Sequence, residues 1–532
     1  MKNKIHTLNF ALLVLIFSFA SPLQATDYYV DQNHPSANDQ NPGTVDQPWK
    51  TITKANAIVV AGDTAYIRAG TYNSHIAPNN SGTSSNPITY RKYSTDIVTV
   101  SNTTCGIYLN GRSYIVIQGI NFYNLDKFLW VQNSANYNTI AYCNFDQGRN
   151  VGWSGSKIYQ SSSYNWVHHC QFSKYGYYAD NDIGSILDIG NEESETDISK
   201  YNLIENNTMF HGGHHVLGVY GMYNVVRNNY FHNENWLSGY GNRNVYLGGY
   251  PVNSGRNLIE GNQIGYSGIP PDNWGASGMS LTTGHNIVRR NRFYFNDLAG
   301  ISMTLTSSYY QDIVDNKIYN NTFLRNGWNM TTGPDALTSA IAFAIYSGSH
   351  VITDNAIKNN IYYSHYQVYG YYYVSSGDQT FANNWDGDTQ GDPLFVDAST
   401  TPGDPTDSTW PYFNLQGSSP CIDAGAALTT ITTASGSGTS FTVDDAGYFM
   451  DGWGIVQGDN IQLQGNMQRA RITSINYVTN TITVDTSLTW TQNQGISVAY
   501  EGSAPDIGAY EFPQSTPPSA PNNLRIISRF FP

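Results

Sequence analysis

One short pattern recurs through the middle of this chain: an Asn, a second small or polar residue five positions on, and a large apolar residue two further. Full copies occupy residues 202–209, 224–231, 257–264, 286–293, 316–323 and 355–362. Two earlier copies, 138–145 and 165–172, carry Cys143 and Cys170 where the later ones carry the second Asn, and a fainter copy, 115–122, precedes them. From Asn138 onward the copies start 27, 37, 22, 33, 29, 30 and 39 positions apart. Repeats of this period are the mark of a solenoid. Each copy is a short β-branched strand running into a polar turn, without helical periodicity, so the predicted unit is a coil of parallel strands.

Stacking such coils at the strand spacing of about 4.8 Å places equivalent residues over one another. The third position (Ile204, Val226, Ile259, Val288, Ile318, Ile357) then forms an aliphatic core ladder. The sixth (Asn207, Asn229, Asn262, Asn291, Asn321, Asn360) forms an amide ladder whose members satisfy one another and the turn backbone. The fourth reads Glu205, Arg227, Glu260, Arg289, alternating in sign as exposed cross-strand neighbours would. Three ladders in one register predict an all-β chain built on a parallel β-helix, right-handed by the usual rule for parallel crossovers.

Residues 1–25 read as a secretory signal peptide: Lys2 and Lys4, an apolar run from Leu8 to Ala20, then Leu23-Gln-Ala25. That run is too short for a transmembrane span and no later one is long enough, so the expectation is a secreted, extracellular protein with no integral membrane segment. The formal charge of −14 argues against nucleic acid as a partner and leaves room for Ca²⁺. With 4 cysteines in 532 residues, disulfides are not the scaffold. Cys143 and Cys170 share a ladder position; direct stacking is poor disulfide geometry, and both a bridge and two buried thiols stay open. Many of the 41 Tyr are expected to cover coil surfaces, with carbohydrate-facing Tyr and Trp as the alternative.

The ends carry a resemblance. Asp27-Tyr-Tyr-Val30, Asn41-Pro-Gly43, Pro48-Trp-Lys-Thr-Ile52 and residues 62–72 resemble the N-terminal cap of secreted right-handed parallel β-helix proteins, the group that contains many polysaccharide lyases and glycosidases. Residues 391–397, 419–425 and 505–511 resemble that group's closing segments. The likeness implies a cap helix within 49–60, which would close the open end of the solenoid. It divides the chain into a capped β-helix over 26–427, an inserted small β-barrel or sandwich over 428–502, a closing strand over 503–512 and a Pro-rich tail over 513–532. Trp453 or Trp490 of the insert could bind glycan; packing of the insert against the last coil is the stronger expectation.

Function in a solenoid collects on the loops of one side. In Ser185-Ile-Leu-Asp188-Ile-Gly, Leu187 and Ile189 point inward and Asp188 outward. With Glu192 and Glu193 it suits a Ca²⁺ site. His211, His214 and His215 follow one coil on. Adjacent strand residues face opposite sides, so one of His214 and His215 faces the groove, as a base or as a cation for a uronate; Zn²⁺ would lack a fourth ligand. Glu234 and Arg243 complete the catalytic candidates, Arg243 as a bidentate carboxylate clamp. His211, His232, Trp236, Tyr246 and Trp328 are the substrate-binding candidates.

The resemblance implies a monomeric lyase that removes the proton α to a uronate carboxylate and expels the 4-linked sugar. Lys174 and Lys200 are the only lysines read as near the site, unlike the Lys-plus-Arg arrangement of chondroitinase- and alginate-lyase-like members. Two further readings stand beside it: a glycoside hydrolase using two of Asp182, Asp188, Glu192 and Glu234, and a non-catalytic glycan-binding protein.

Overall fold

The computed structural model describes residues 25–149, 154–175, 184–191, 194–233, 243–249, 254–267, 276–306, 311–327, 337–398 and 412–512. The signal-peptide and Pro-rich-tail readings lie outside these residues.

Among the described residues the coils form three parallel sheets of 13, 12 and 10 strands, called here the first, second and third. Each repeated copy supplies one strand of the first sheet and, after a corner, one of the second. The corner residue at the fifth position is left-handed, as at Asn206, Asn228, Asn320 and Asn359 (φ 51–55°), a conformation Asn tolerates better than most. Third-position residues from Ile117 to Ile357 pair directly from coil to coil and are fully buried. The copies' last residues do the same on the second sheet, where Phe122, Phe145 and Phe172 stack at 4.8 and 4.4 Å between centroids.

Two amide ladders hold the corners. At the sixth position, from Asn229 to Asn360, each Oδ1 accepts both the main-chain and side-chain N–H of the Asn one coil earlier: Asn262 N and Nδ2 reach Asn291 Oδ1 at 2.9 and 3.0 Å, and Asn262 Nδ2 also donates to Val226 O. The first position repeats the arrangement, from Asn138 on Asn165 through Asn316 on Asn355. Cys143 and Cys170 take the ladder's early places as free thiols, with Cys143 N donating to Cys170 Sγ at 3.4 Å.

At the N-terminal end the helix Ile52–Ile58 starts at Thr51, whose side chain accepts from Lys54 N, and buries Ile52 and Ala55 over the first coil. Outside the corners Tyr114, Tyr137, Tyr164, Tyr201 and Tyr223 form a surface stack with centroid spacings of 4.7–5.6 Å. These tyrosines line a coil surface, while others, such as Tyr90, Tyr175, Tyr294 and Tyr362, are buried.

What covers each sheet decides where a site can be. Strands from Thr429–Thr430 to Gly495–Val498 form a six-stranded antiparallel sheet, closed into a barrel by the Ile431–Val443 bridge. It sits on the outer face of the first sheet, where second-position Leu203, Val225, Leu258 and Ile287 pack with Phe449, Met450, Ile461 and Ile472. The fourth-position charges are therefore not an exposed row. Arg289, 2% exposed, donates to Glu260 at 2.8 Å and grips Asp459 of the barrel through two bonds of 2.6 and 2.7 Å. Lys317 reaches Asp445 at 2.6 Å. Trp490 is buried with its indole N–H on Ala434 O, and Trp453 packs edge-on against Tyr223. Trp490 is thereby a core residue of the barrel and no glycan platform.

The closing segments cover the later coils of the second sheet: Phe395, Phe413, Leu415, Cys421 and Ile507 pack on Tyr230, Tyr294, Leu324 and Ile361.

Candidate functional site

The third sheet carries the densest chemistry. Its strand Leu187–Ile189 sends Leu187 and Ile189 into the core and leaves Asp188 on the outer face. The register places Trp130, Lys157, Asp188, Gly218, Tyr246 and Ser280 in one cross-strand row. His215 opens the next strand, His215–Val219, and pairs with Arg243 of the strand Arg243–Leu247.

Asp188 Oδ1 stands 3.3 Å from His215 Nε2, and its Oδ2 accepts the hydroxyl of Ser154. The Tyr220 hydroxyl lies 3.0 Å from the same Nε2. The Tyr246 ring lies 5.4 Å from the imidazole, and the Arg243 guanidinium sits over that ring at 5.4 Å. Gly218 makes the meeting possible: a Cβ there would touch Asp188 Oδ1 and lie 2.8 Å from His215 Nε2. The pair is deeply set, with His215 1% and Asp188 4% exposed. His215 Nδ1 has no hydrogen-bond partner among the described residues.

His214 occupies the corner between the strands Thr208–Gly212 and His215–Val219. Burial, with His215 and Arg243 adding to it, pushes its pKa down to about 2. That shift disfavours the cationic role and leaves the neutral imidazole as the form the site favours. His211 and His232 stand on the second sheet instead, His232 stacked between Phe210 at 4.7 Å and Tyr230 at 4.3 Å. The histidines read as one cluster therefore divide between two faces.

The lysine reading is also corrected. Lys174 lies on the second sheet, 3.9 Å from Asp146, and Lys200 lies against Tyr201. The lysine beside Asp188 is Lys157, in the directly paired strand, with its ammonium 5.6 Å from the Tyr159 ring. Reading the sequence missed Lys157, Tyr220 and Ser154. The signal for Lys157 and Tyr220 was a short triplet with a central aliphatic residue (Lys157-Ile-Tyr159, Asp188-Ile-Gly190, Gly218-Val-Tyr220), obscured by the unequal loops around it; Ser154 carried none.

Glu192, Glu193, Glu234, Trp236 and Trp328 lie outside the described residues, as does Asp182. Of the three residues read as Ca²⁺ ligands, Asp188 alone is described. Both its oxygens are engaged, its neighbour is an imidazole rather than an oxygen ligand, and no group of three or more His, Cys, Asp or Glu is set to hold a metal among the described residues. No helix of the described residues is long and apolar enough to cross a membrane.

Comparison with known proteins bears on the fold. Residues 28–183 match the family described as "Pel9A-like, right handed beta helix region", and residues 187–386 match "Right handed beta helix region". A 67-residue stretch is 40% identical to "Uncharacterized protein YwoF" of Bacillus subtilis, covering 13% of this chain and only 14% of that protein's length. Among solved structures, pectate lyase Pel9A is 15% identical over 91% of this chain and 96% of its own, with a TM-score of 0.48. The GH136 lacto-N-biosidase from Eubacterium ramulus is 11% identical over 67% and 68%, TM-score 0.44. The PL6 family alginate lyase AlyGC is 16% identical over 63% and 50%, TM-score 0.44. Likenesses this distant say nothing about shared chemistry.

Proposed function

We propose that this right-handed parallel β-helix protein is an exported enzyme of polysaccharide breakdown, a lyase acting on a uronic-acid-containing chain at the outer face of its third sheet. One observation carries the reading: an imidazole held between a carboxylate and a phenol, flanked on the same face by two cations.

β-Elimination needs a base for the proton α to the carboxylate and positive charge to stabilise the enolate-like intermediate. With Nε2–H donated to Asp188, the basic nitrogen of His215 is Nδ1, and Nδ1 or the Tyr220 hydroxyl beside the ring supplies the proton acceptor. Asp188 orients the imidazole, and Ser154 fixes Asp188. Lys157 and Arg243, on strands either side, supply charge for the uronate carboxylate; Arg243, braced on Tyr246, has the planar fork that pairs with it. A hydrolase reading needs a second carboxylate at a set separation. Asp188 meets a hydroxyl and an imidazole among the described residues, and its candidate partners Asp182, Glu192 and Glu234 lie outside them.

The test is ultraviolet absorbance of the unsaturated product on polygalacturonate, alginate and chondroitin, with added Ca²⁺ and with chelator. A rising signal that His215→Ala and Lys157→Ala both lose supports the proposal; loss with chelator supports the Ca²⁺ expectation. New reducing ends without absorbance would replace it with a hydrolase. Silence on every polymer would leave a glycan-binding protein.

A further inference from the structure

A second site stands on a different face. The strands Val98–Ser101, Asn121–Leu125, Asn144–Gly148 and Gln171–Tyr175 adjoin in the second sheet. Alternation sends Phe122, Phe145 and Phe172 inward and leaves Asn121, Tyr123, Asn144 and Asp146 outside. Gln147 and Lys174 then adopt left-handed backbone (φ 57° each), which breaks the alternation and keeps their side chains on the outer face beside Asp146. The result is a hollow of about 390 Å³ lined by these residues, within the roughly 300–1,000 Å³ range of small-molecule sites.

We propose that this hollow binds a neutral pyranose unit of a glycan. Its charges cancel: Lys174 Nζ stands 3.9 Å from Asp146 Oδ1, which also accepts the Ser173 hydroxyl at 2.7 Å. A site of one carboxylate and one ammonium has no surplus charge for an anion, yet offers the acceptor and donor that vicinal hydroxyls require. Asn144 supplies the observation that points to a ligand. It lines the hollow, is 4% exposed, and its Oδ1 has no hydrogen-bond partner among the described residues. Nearly every buried polar atom in a folded protein is satisfied, and a sugar hydroxyl is a donor of the right size. Tyr123 supplies the apolar wall. The residue is 37% exposed, and its hydroxyl is tied to Gln147 Oε1 at 2.9 Å, so the ring is already held in place for stacking on a pyranose face. Among the described residues, the closing segments that bury the later coils of this sheet pack on Tyr230 and residues beyond it, not on these strands.

The inference is independent of the lyase reading, since no residue is shared with the third-sheet cluster and either can fail alone. The experiment is calorimetric and NMR titration of the full chain with the methyl glycosides of glucose, galactose and mannose, and with glucuronic acid as the charged counterpart. A neutral glycoside is expected to bind with a Kd on the order of millimolar, as ordinary ligand efficiency implies for one ring. Tyr123→Ala should weaken it by about tenfold, the usual worth of an aromatic contact, and Asp146→Asn, which preserves shape, should weaken it as well. The proposal is overturned if no neutral glycoside binds, if both variants bind like the unmodified chain, or if glucuronic acid alone binds.

Discussion

Removing one partner from the Arg289–Asp459 clamp should cost more than removing both. Arg289 is fully enclosed between the coil and the barrel, and its two bonds to Asp459 are charge-assisted and short, at 2.6 and 2.7 Å. Truncating one member of a buried ion pair costs about 3–5 kcal/mol, because the survivor is left charged in a medium that solvates it poorly. Glu260, 2.8 Å from Arg289 Nε, compensates part of that, which places Asp459→Asn near 3 kcal/mol. Asn also keeps an acceptor for Met450 N, which Asp459 Oδ2 holds at 3.0 Å, so the loss reports the charge rather than the turn. Arg289→Met alone should cost a similar amount by stranding Asp459. The double variant strands neither of these two charges, and Glu260, left without Arg289, keeps Arg290 and Arg227 nearby, so it should be more stable than either single. The assay is denaturant unfolding followed by tryptophan fluorescence, to which Trp453 contributes from its contact with Tyr223 at this interface. Single variants that each cost under about 1 kcal/mol, the worth of an exposed pair, or a double variant whose loss is the sum of the singles, would refute the reasoning.

Two other outcomes follow from the structure. Gly218→Ala places a methyl group 2.8 Å from His215 Nε2 and against Asp188 Oδ1, which must part the pair; turnover per folded molecule on whichever uronan proves to be the substrate should fall by about 10–100-fold, the worth of a charge-assisted hydrogen bond, with stability lowered by about 1–3 kcal/mol as for other overpacked buried sites, and unimpaired turnover would remove Asp188–His215 from the mechanism. Stability should fall on both sides of mildly acidic pH, as melting curves from pH 3 to 9 would show. Burial, reinforced by Asp506, raises Glu511 to about 8, so the folded chain holds a proton the unfolded one has released and stability declines as pH rises from the ordinary Glu value of 4.5 through 8. Burial holds His214 near 2, so the unfolded chain gains the proton first and stability declines as pH falls below 6.5. Each group contributes about 1.4 kcal/mol per pH unit within its window, and Glu511→Gln should flatten the alkaline limb; an unchanged limb would contradict the assignment.

The solenoid was legible in the sequence because its determinants are local and periodic. An Asn at a corner and an aliphatic residue two places on answer needs that each coil has alone, and stacking repeats them at one spacing. The outward setting of Asp188 was legible for the same reason, as strand alternation settles it within three residues.

What sequence could not decide was which outer face stays open and which side chains meet there. The second-position row of Leu203, Val225, Leu258 and Ile287 is as apolar as the core, yet what buries it is a barrel more than 140 residues further along the chain, as the contact of Arg289 with Asp459 at a separation of 170 shows. Lys157 and Asp188 are cross-strand neighbours, while His211 and His215, four residues apart, stand on different sheets. Corner positions are fixed by backbone sterics that a short motif records. The lateral register of the third sheet is set by loops of unequal length, so only the folded chain brings Asp188, His215 and Tyr220 to one point.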